Sequence, residues 1–159
     1  MKEESVPGTA DARSLWFLNG HVTIHLAMAE NAGGISITEH LLPGNFGPPY
    51  HVHPDEDETF YVLDGEFRFK LADRVSTAKA GDVVHLPRGV PHGFKVTSPS
   101  GGRCLVISTG GFENMLRSGS VVADAVRLPD PVVPTPEMQA QLAKICAENG
   151  IELLGPPID

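Results

Sequence analysis

A succession of short apolar runs between residues 15 and 107 most constrains the fold of this chain. The runs include LWFLNGHVTIHL, ISITEHLL, TFYVL, EFRFKL and CLVIS, and Gly, Pro, Asn and Asp separate them. Several are rich in Val, Ile, Phe and Tyr, which favour strands, and each is too short for a typical helix. The 14 prolines and 17 glycines indicate many turns. The pattern therefore predicts an all-β fold rather than a helical bundle.

The 159 residues suit one domain with a single core. We predict a flexible polar segment over residues 1–14, a β-barrel domain over 15–110, and an arm and helix over 111–159. Thr135 is placed to cap that helix, with Pro136 at its first position and Gly150 at its end. Its apolar face comprises Met138, Leu142, Ile145 and Cys146. We expect this face to pack on the barrel or on a neighbouring subunit.

The dipeptide Asp64-Gly65 separates the runs ETFYVL and EFRFKL. Because Asp-Gly favours the positive φ angles of a two-residue turn, the sequence predicts a β-hairpin here. In the second run Phe67, Phe69 and Leu71 alternate with charged residues. This alternation predicts one buried and one solvated face.

Charge and cysteine usage restrict the partners and the compartment. The 12 basic and 20 acidic residues give a net charge of −8, which argues against nucleic acid as a partner. Cys104 and Cys146 lie far apart, so a disulfide framework is not expected and a reduced cytoplasmic setting is the simplest interpretation. No apolar run has the length of a signal peptide core or a membrane span, and no membrane partner is expected.

The segment HVHPDEDE carries the chemistry. His51 and His53 stand at positions i and i+2, so they point the same way on an extended chain. Glu58 opens the next strand, and His92 follows the turn-rich LPRGVP. If the strand of Glu58 runs back beside the histidines, all face one interior. Imidazole and carboxylate ligands suit a divalent Mn, Fe, Co, Ni, Cu or Zn ion, and these metals are not distinguishable from sequence.

Other residues in and around this segment have plainer interpretations. The acidic residues 55–57 are expected to form a solvated turn, although Glu56 is an alternative ligand to Glu58. We expect packing or supporting roles for His21, His25 and His85, and His40 has no spacing argument. Cys104 is expected to be buried. Four aromatic residues are core candidates that could also line a pocket: Tyr61, Phe67, Phe69 and Phe94.

These spacings resemble the two motifs of the cupin family. The first motif matches Gly44, His51, His53, Glu58 and Gly65, with four residues before Glu58 and six after it. The second matches Gly81, Pro87, Gly89 and His92. Two departures are a spacer one residue longer after Gly44 and Val96 at a position that the family fills with Asn. The resemblance implies a double-stranded β-helix, or jelly-roll barrel, holding one metal ion per chain through His51, His53, Glu58 and His92.

Within the cupins, HxHxxxxE followed by TFYVLDGEFRF and the STGGFENML tail resemble small bacterial monocupins related to flavonol (quercetin) 2,3-dioxygenases. That resemblance implies a dioxygenase in which Glu58 is ligand and catalytic base, acting with O₂ on a flavonol or similar enolisable small molecule. It also implies a homodimer. Two alternatives remain open: a metal-dependent non-redox enzyme (isomerase, lyase, cyclase or decarboxylase), and a cupin that binds a small ligand without turnover.

Overall fold

The computed structural model describes residues 12–159, whose strands form two antiparallel sheets. The seven-stranded sheet has the order β11-β1-β2-β3-β10-β5-β8 and the five-stranded sheet the order β12-β4-β9-β6-β7. The strands are β1 (Ser14–Phe17), β2 (Gly20–Leu26), β3 (Ile35–Leu42), β4 (Tyr50–Val52), β5 (Glu58–Asp64), β6 (Glu66–Leu71), β7 (Arg74–Lys79), β8 (Val83–Leu86), β9 (His92–Val96), β10 (Gly102–Thr109), β11 (Ser120–Val122) and β12 (Glu152–Gly155). The predicted all-β fold is thus confirmed, although the sheets do not close into one hydrogen-bonded barrel within residues 12–159.

The core lies between the two sheets. Phe67 and Phe69 of β6 are fully buried while Arg68 between them is exposed, so the predicted alternation is confirmed. Phe60 from the other sheet packs edge-on against Phe69, with ring centroids 5.2 Å apart. Each such side chain contributes about 1.5–3 kcal/mol by leaving water.

The predicted hairpin at Asp64-Gly65 is wrong. Gly65 has the expected positive φ of 79°, but β5 and β6 belong to different sheets and do not pair. The chain instead turns a corner at Gly65 and crosses from one sheet to the other. The approach is close, because a Cβ at this position would lie 2.5 Å from the carbonyl oxygen of Gly101.

The C-terminal helix was correctly predicted. Helix α2 (Pro136–Glu148) begins after Thr135, whose side chain accepts a hydrogen bond from the Met138 backbone N–H. Ile145 and Cys146 are buried against the body of the protein, whereas Met138 is exposed. A shorter helix, α1 (Phe112–Ser118), follows β10. Neither of these helices is long and apolar enough to span a membrane.

The predicted flexible segment is only partly within the described residues. Residues 1–11 lie outside them. Ala12 is buried in the core and Ser14 begins β1. The seven-stranded sheet therefore starts at the end of that segment.

Candidate metal centre

The four predicted ligands come together between the two sheets. His51 lies on β4, directly opposite His92 at the start of β9. His53 follows the end of β4 by one residue. Glu58 begins β5 in the other sheet, so it meets the histidines across the interior and not along a neighbouring strand as expected. The imidazoles thus come from one sheet and the carboxylate from the other.

The geometry of the cluster is compact. One candidate ligand atom from each of His51, His53, Glu58 and His92 lies within 4.8 Å of all the others. The Oε2 atom of Glu58 is 3.1 Å from Nε2 of His92 and 3.4 Å from Nε2 of His53. The rings of His51 and His92 are 4.5 Å apart between centroids. Four ligand atoms this close can surround a single ion.

Outer hydrogen bonds orient the three imidazoles. His51 donates from Nδ1 to the carbonyl oxygen of Pro49 at 2.7 Å, and His92 donates from Nδ1 to that of Val90 at 3.1 Å. A carbonyl only accepts, so the proton must lie on Nδ1, and in the neutral ring the lone pair of Nε2 is free. Protein metal sites commonly fix their histidine ligands in this way.

The third imidazole supplies a test of whether a metal fits. His53 is buried, and its Nδ1 lies 2.8 Å from Oε1 of Glu56. Its buried Nε2 has no hydrogen-bond partner among the described residues. A buried nitrogen without a partner is costly, and a bound cation would satisfy it. Together with the three imidazoles and one carboxylate, it fits a transition-metal ion.

Glu56 contacts one of the candidate ligands, a role that the sequence interpretation did not assign to it. It is only 4% exposed and turns inward onto His53, so the prediction of a solvated acidic turn is wrong at this position. Nor does it belong to the ligand group, in which Glu58 stands. Its spacing of three residues from His53 was the available signal. A carboxylate that accepts from a ligand imidazole makes that imidazole a stronger metal ligand.

Electrostatics prepare the cluster for a cation. Burial lowers the pKa of His51 to about 4, so this ring is neutral at physiological pH. For Glu58, burial opposes ionisation, but His53, His92 and His51 outweigh it and lower the pKa to about 2. For His53, burial lowers the pKa, but Glu58 and Glu56 outweigh it and raise the pKa above its ordinary value. An incoming metal ion therefore competes with a proton on His53.

An apolar pocket adjoins the cluster. His51, His53 and Glu58 stand at one part of its wall, and His40 is a further polar residue facing it. The rest is largely apolar: Phe17, Leu18, Val22, Leu42, Phe46, Pro48, Pro49, Phe60, Phe94, Val106, Phe112, Met115, Leu116, Leu142, Cys146, Ile151 and Leu153. Apolar pockets with a few convergent polar groups are typical small-molecule sites.

The other sequence candidates are distributed as follows. Of the four proposed aromatic lining residues, Phe94 faces the pocket, Phe67 and Phe69 are buried in the core, and Tyr61 is exposed. Outside the cluster, His21 contacts Ser14, His25 contacts Glu39, and His85 contacts Thr59. Cys104 is buried as expected, and burial raises the pKa of its thiol.

Comparison with known proteins agrees with this geometry. The family model for the Cupin domain matches residues 37–108. A quercetin 2,3-dioxygenase of Bacillus subtilis is 37% identical over 60 residues, covering 36% of this chain and 18% of its own length. A germin-like protein (subfamily 2 member 2) of Arabidopsis thaliana is 31% identical over 97 residues, covering 58% of this chain and 42% of its own length. The chain therefore spans less than half the length of either relative.

Solved structures support the fold. A predicted oxalate decarboxylase from Thermotoga maritima superimposes with a TM-score of 0.57 at 20% identity, over 66% of this chain and 98% of its own. At that identity the likeness extends to the fold alone. Residues 37–108, which match the Cupin domain model, contain all four candidate ligands, and the structure around them has a cupin fold.

Proposed function

We propose that this protein is a metal-dependent dioxygenase that cleaves a flavonol or similar enolisable aromatic compound with O₂. The observation that carries the proposal is the compact four-residue cluster, of which His51, His53 and Glu58 stand at the wall of an apolar, phenylalanine-rich pocket. His51, His53, Glu58 and His92 would hold one divalent transition-metal ion. The local similarity to a quercetin 2,3-dioxygenase points in the same direction.

The pocket suits an aromatic substrate. Phe46, Phe60, Phe94 and Phe112 all face it and offer apolar surface to a planar ring. Phe112 also packs edge-on against His53, with centroids 5.8 Å apart, so a ring bound beside it would lie next to the cluster. These side chains would bind the aromatic ring of the substrate and also exclude water from its reacting hydroxyl group.

Glu58 is the proposed proton acceptor. Its Oε2 faces His53 and His92, while no hydrogen bond from any described residue reaches its Oε1. Although burial opposes ionisation, the neighbouring histidines lower the pKa of Glu58 to about 2, so the carboxylate is ionised at neutral pH and available as an acceptor. A carboxylate with so low a pKa is a weak base, so the transfer requires a substrate hydroxyl whose own pKa is lowered. A bound cation would supply the complementary effect by lowering the pKa of the substrate hydroxyl.

The test replaces Glu58 with Gln. Glutamine keeps an oxygen that can coordinate but lacks useful basicity, so metal content should fall little while turnover falls roughly 10²–10⁴-fold. Metal content and substrate-dependent oxygen uptake are measured on the same preparations, with quercetin first and other enolisable phenols next. Glu39→Gln, on the outer face of the same sheet beside Arg103, is the matched control.

The outcomes separate the candidate functions. Near-parental turnover by a metal-loaded Glu58→Gln protein that binds substrate would exclude Glu58 as the base. Chemical conversion without oxygen uptake by the parent would replace the dioxygenase with a non-redox enzyme. Binding without conversion would indicate a ligand-binding cupin. The homodimer stays a prediction, which light scattering of the purified protein can check.

A further inference from the structure

His40 is the pocket-facing polar residue that the proposed metal chemistry does not use. Strand β3 alternates, so Ser36, Thr38, His40 and Leu42 all point inward and are buried. β3 pairs with β2 on one side and β10 on the other, which holds the strand rigidly. The His40 side chain is 8% exposed and faces the pocket. Its position is therefore set by the sheet and not by a flexible loop.

Two contacts fix the ring of His40. Its Nε2 lies 2.9 Å from Oγ1 of Thr38, and its face stacks on Phe112 with centroids 6.1 Å apart and planes 22° apart. The Thr38 hydroxyl also donates to the carbonyl oxygen of Val106 at 3.4 Å. Assigning the hydroxyl proton to that carbonyl, which only accepts, makes Thr38 the acceptor of a hydrogen bond from His40. In this assignment Nε2 carries the proton of the neutral ring.

This arrangement leaves Nδ1 of His40 as an acceptor. Nδ1 receives no hydrogen bond from any described residue and is not sealed from solvent, so a group in the pocket can reach it. The pocket wall around His40 is apolar apart from the cluster. The ring of Phe112 packs against both His40 and His53, with centroid distances of 6.1 Å and 5.8 Å, so His40 and the cluster share a neighbour in the pocket wall.

We propose that His40 recognises a second polar group of the substrate, a hydroxyl or N–H that donates to Nδ1. This inference rests on the proposed function, in which an ionised oxygen of the same substrate lies at the cluster. The substrate class is thereby narrowed to aromatic compounds with at least two separated donor groups. His40 acts as a specificity-determining residue and takes no part in proton transfer.

The experiment compares ligands that differ by one hydroxyl. The Zn²⁺-loaded protein is titrated with 3-hydroxyflavone and with a panel of its derivatives that each carry one additional hydroxyl, and fluorescence gives each Kd. In the parent, at least one derivative should bind about 3- to 10-fold more tightly than 3-hydroxyflavone, the gain expected from one hydrogen bond. The ratio of the Kd of 3-hydroxyflavone to the Kd of that derivative should fall to about one in His40→Phe, while 3-hydroxyflavone itself still binds.

Matched variants separate recognition from folding. His25→Phe changes an exposed histidine of β2 that contacts Glu39, and it should keep the parental ratio. His40→Asn retains an acceptor and should restore part of the discrimination. Thr38→Val removes the acceptor that holds the proton on Nε2. The proton can then move to Nδ1, which no longer accepts, so the ratio should also move toward one. Thr38→Val decides the question if His40→Phe does not fold.

The results distinguish this inference from the proposed function. A parent that shows no preference for any added hydroxyl, or a His40→Phe or Thr38→Val protein that keeps the parental ratio, would overturn the role of His40. Oxygen uptake by such a variant at parental rates would leave the dioxygenase intact. If His40→Phe loses the preference for the added hydroxyl while the parent shows that preference but consumes no oxygen, the role of His40 is supported and the dioxygenase is refuted.

Discussion

Replacing Gly65 with Ala should destabilise the protein far more than the same change at Gly81. Both glycines have positive φ, 79° and 92° respectively, so both substitutions incur the backbone cost of about 1–2 kcal/mol for an L-residue. Only at Gly65 is there no room. A Cβ there would lie 2.5 Å from the Gly101 carbonyl oxygen and 2.8 Å from Gly102 Cα, whereas at Gly81 nothing lies within 4 Å.

The neighbours of Gly65 include backbone atoms, which cannot rotate away, so overpacking should add about 1–3 kcal/mol. We therefore expect losses in unfolding free energy of roughly 2–5 kcal/mol for Gly65→Ala and roughly 1–2 kcal/mol for Gly81→Ala. Urea denaturation of the two variants and the parent measures the difference. Equal midpoints for the two variants would refute the close approach at this corner, where the chain passes from the sheet of Glu58 to the sheet of the histidines.

Three further predictions concern the cluster and the terminal helix. Glu56→Gln should lower metal affinity roughly 10- to 100-fold and reduce the number of protons released when the metal binds. Calorimetry in buffers of different ionisation enthalpy measures that number, and an unchanged number would contradict the role of Glu56. Because the pKa of His53 is raised, the metal must displace a proton, and metal affinity should fall about tenfold per pH unit below that pKa. A metal Kd that does not change between pH 5 and 8 would contradict this competition. Thr135→Ala should remove the N-cap of α2 and lower the free energy of unfolding by about 1 kcal/mol. Urea denaturation measures this loss, with the exposed Thr77→Ala as control, and equal midpoints for the two variants would argue against the cap.

The grouping of the four candidate ligands could be predicted because most of its signal is local. His51, His53 and Glu58 lie within eight consecutive residues, and ligand chemistry limits which side chains can serve. The apolar runs likewise predicted strands, and Thr135 with Pro136 predicted the start of α2. Each of these inferences depends on neighbours in sequence, where composition and spacing carry the information.

The partners of each strand, and the side chains that turn toward the interior, could not be predicted from neighbouring residues. Asp64-Gly65 indicates a positive φ, but β5 pairs with β10 and β8, which are distant in sequence, and so no hairpin forms. Glu56 lies in the run DEDE, where solvation is the ordinary expectation, and only the fold turns it onto His53. His40 had a usable signal that was overlooked, because the alternation along ISITEHLL places it on the inner face with Thr38.

Metal analysis of the purified protein tests the central claim most directly. Protein prepared without chelator or added metal is analysed by mass spectrometry for transition metals, alongside His51→Ala, His92→Ala and the exposed control His85→Ala. The parent and His85→Ala should carry close to one ion per chain, and the two cluster variants should lose most of it. Full metal content in both His51→Ala and His92→Ala would contradict the assignment of this cluster as the metal centre.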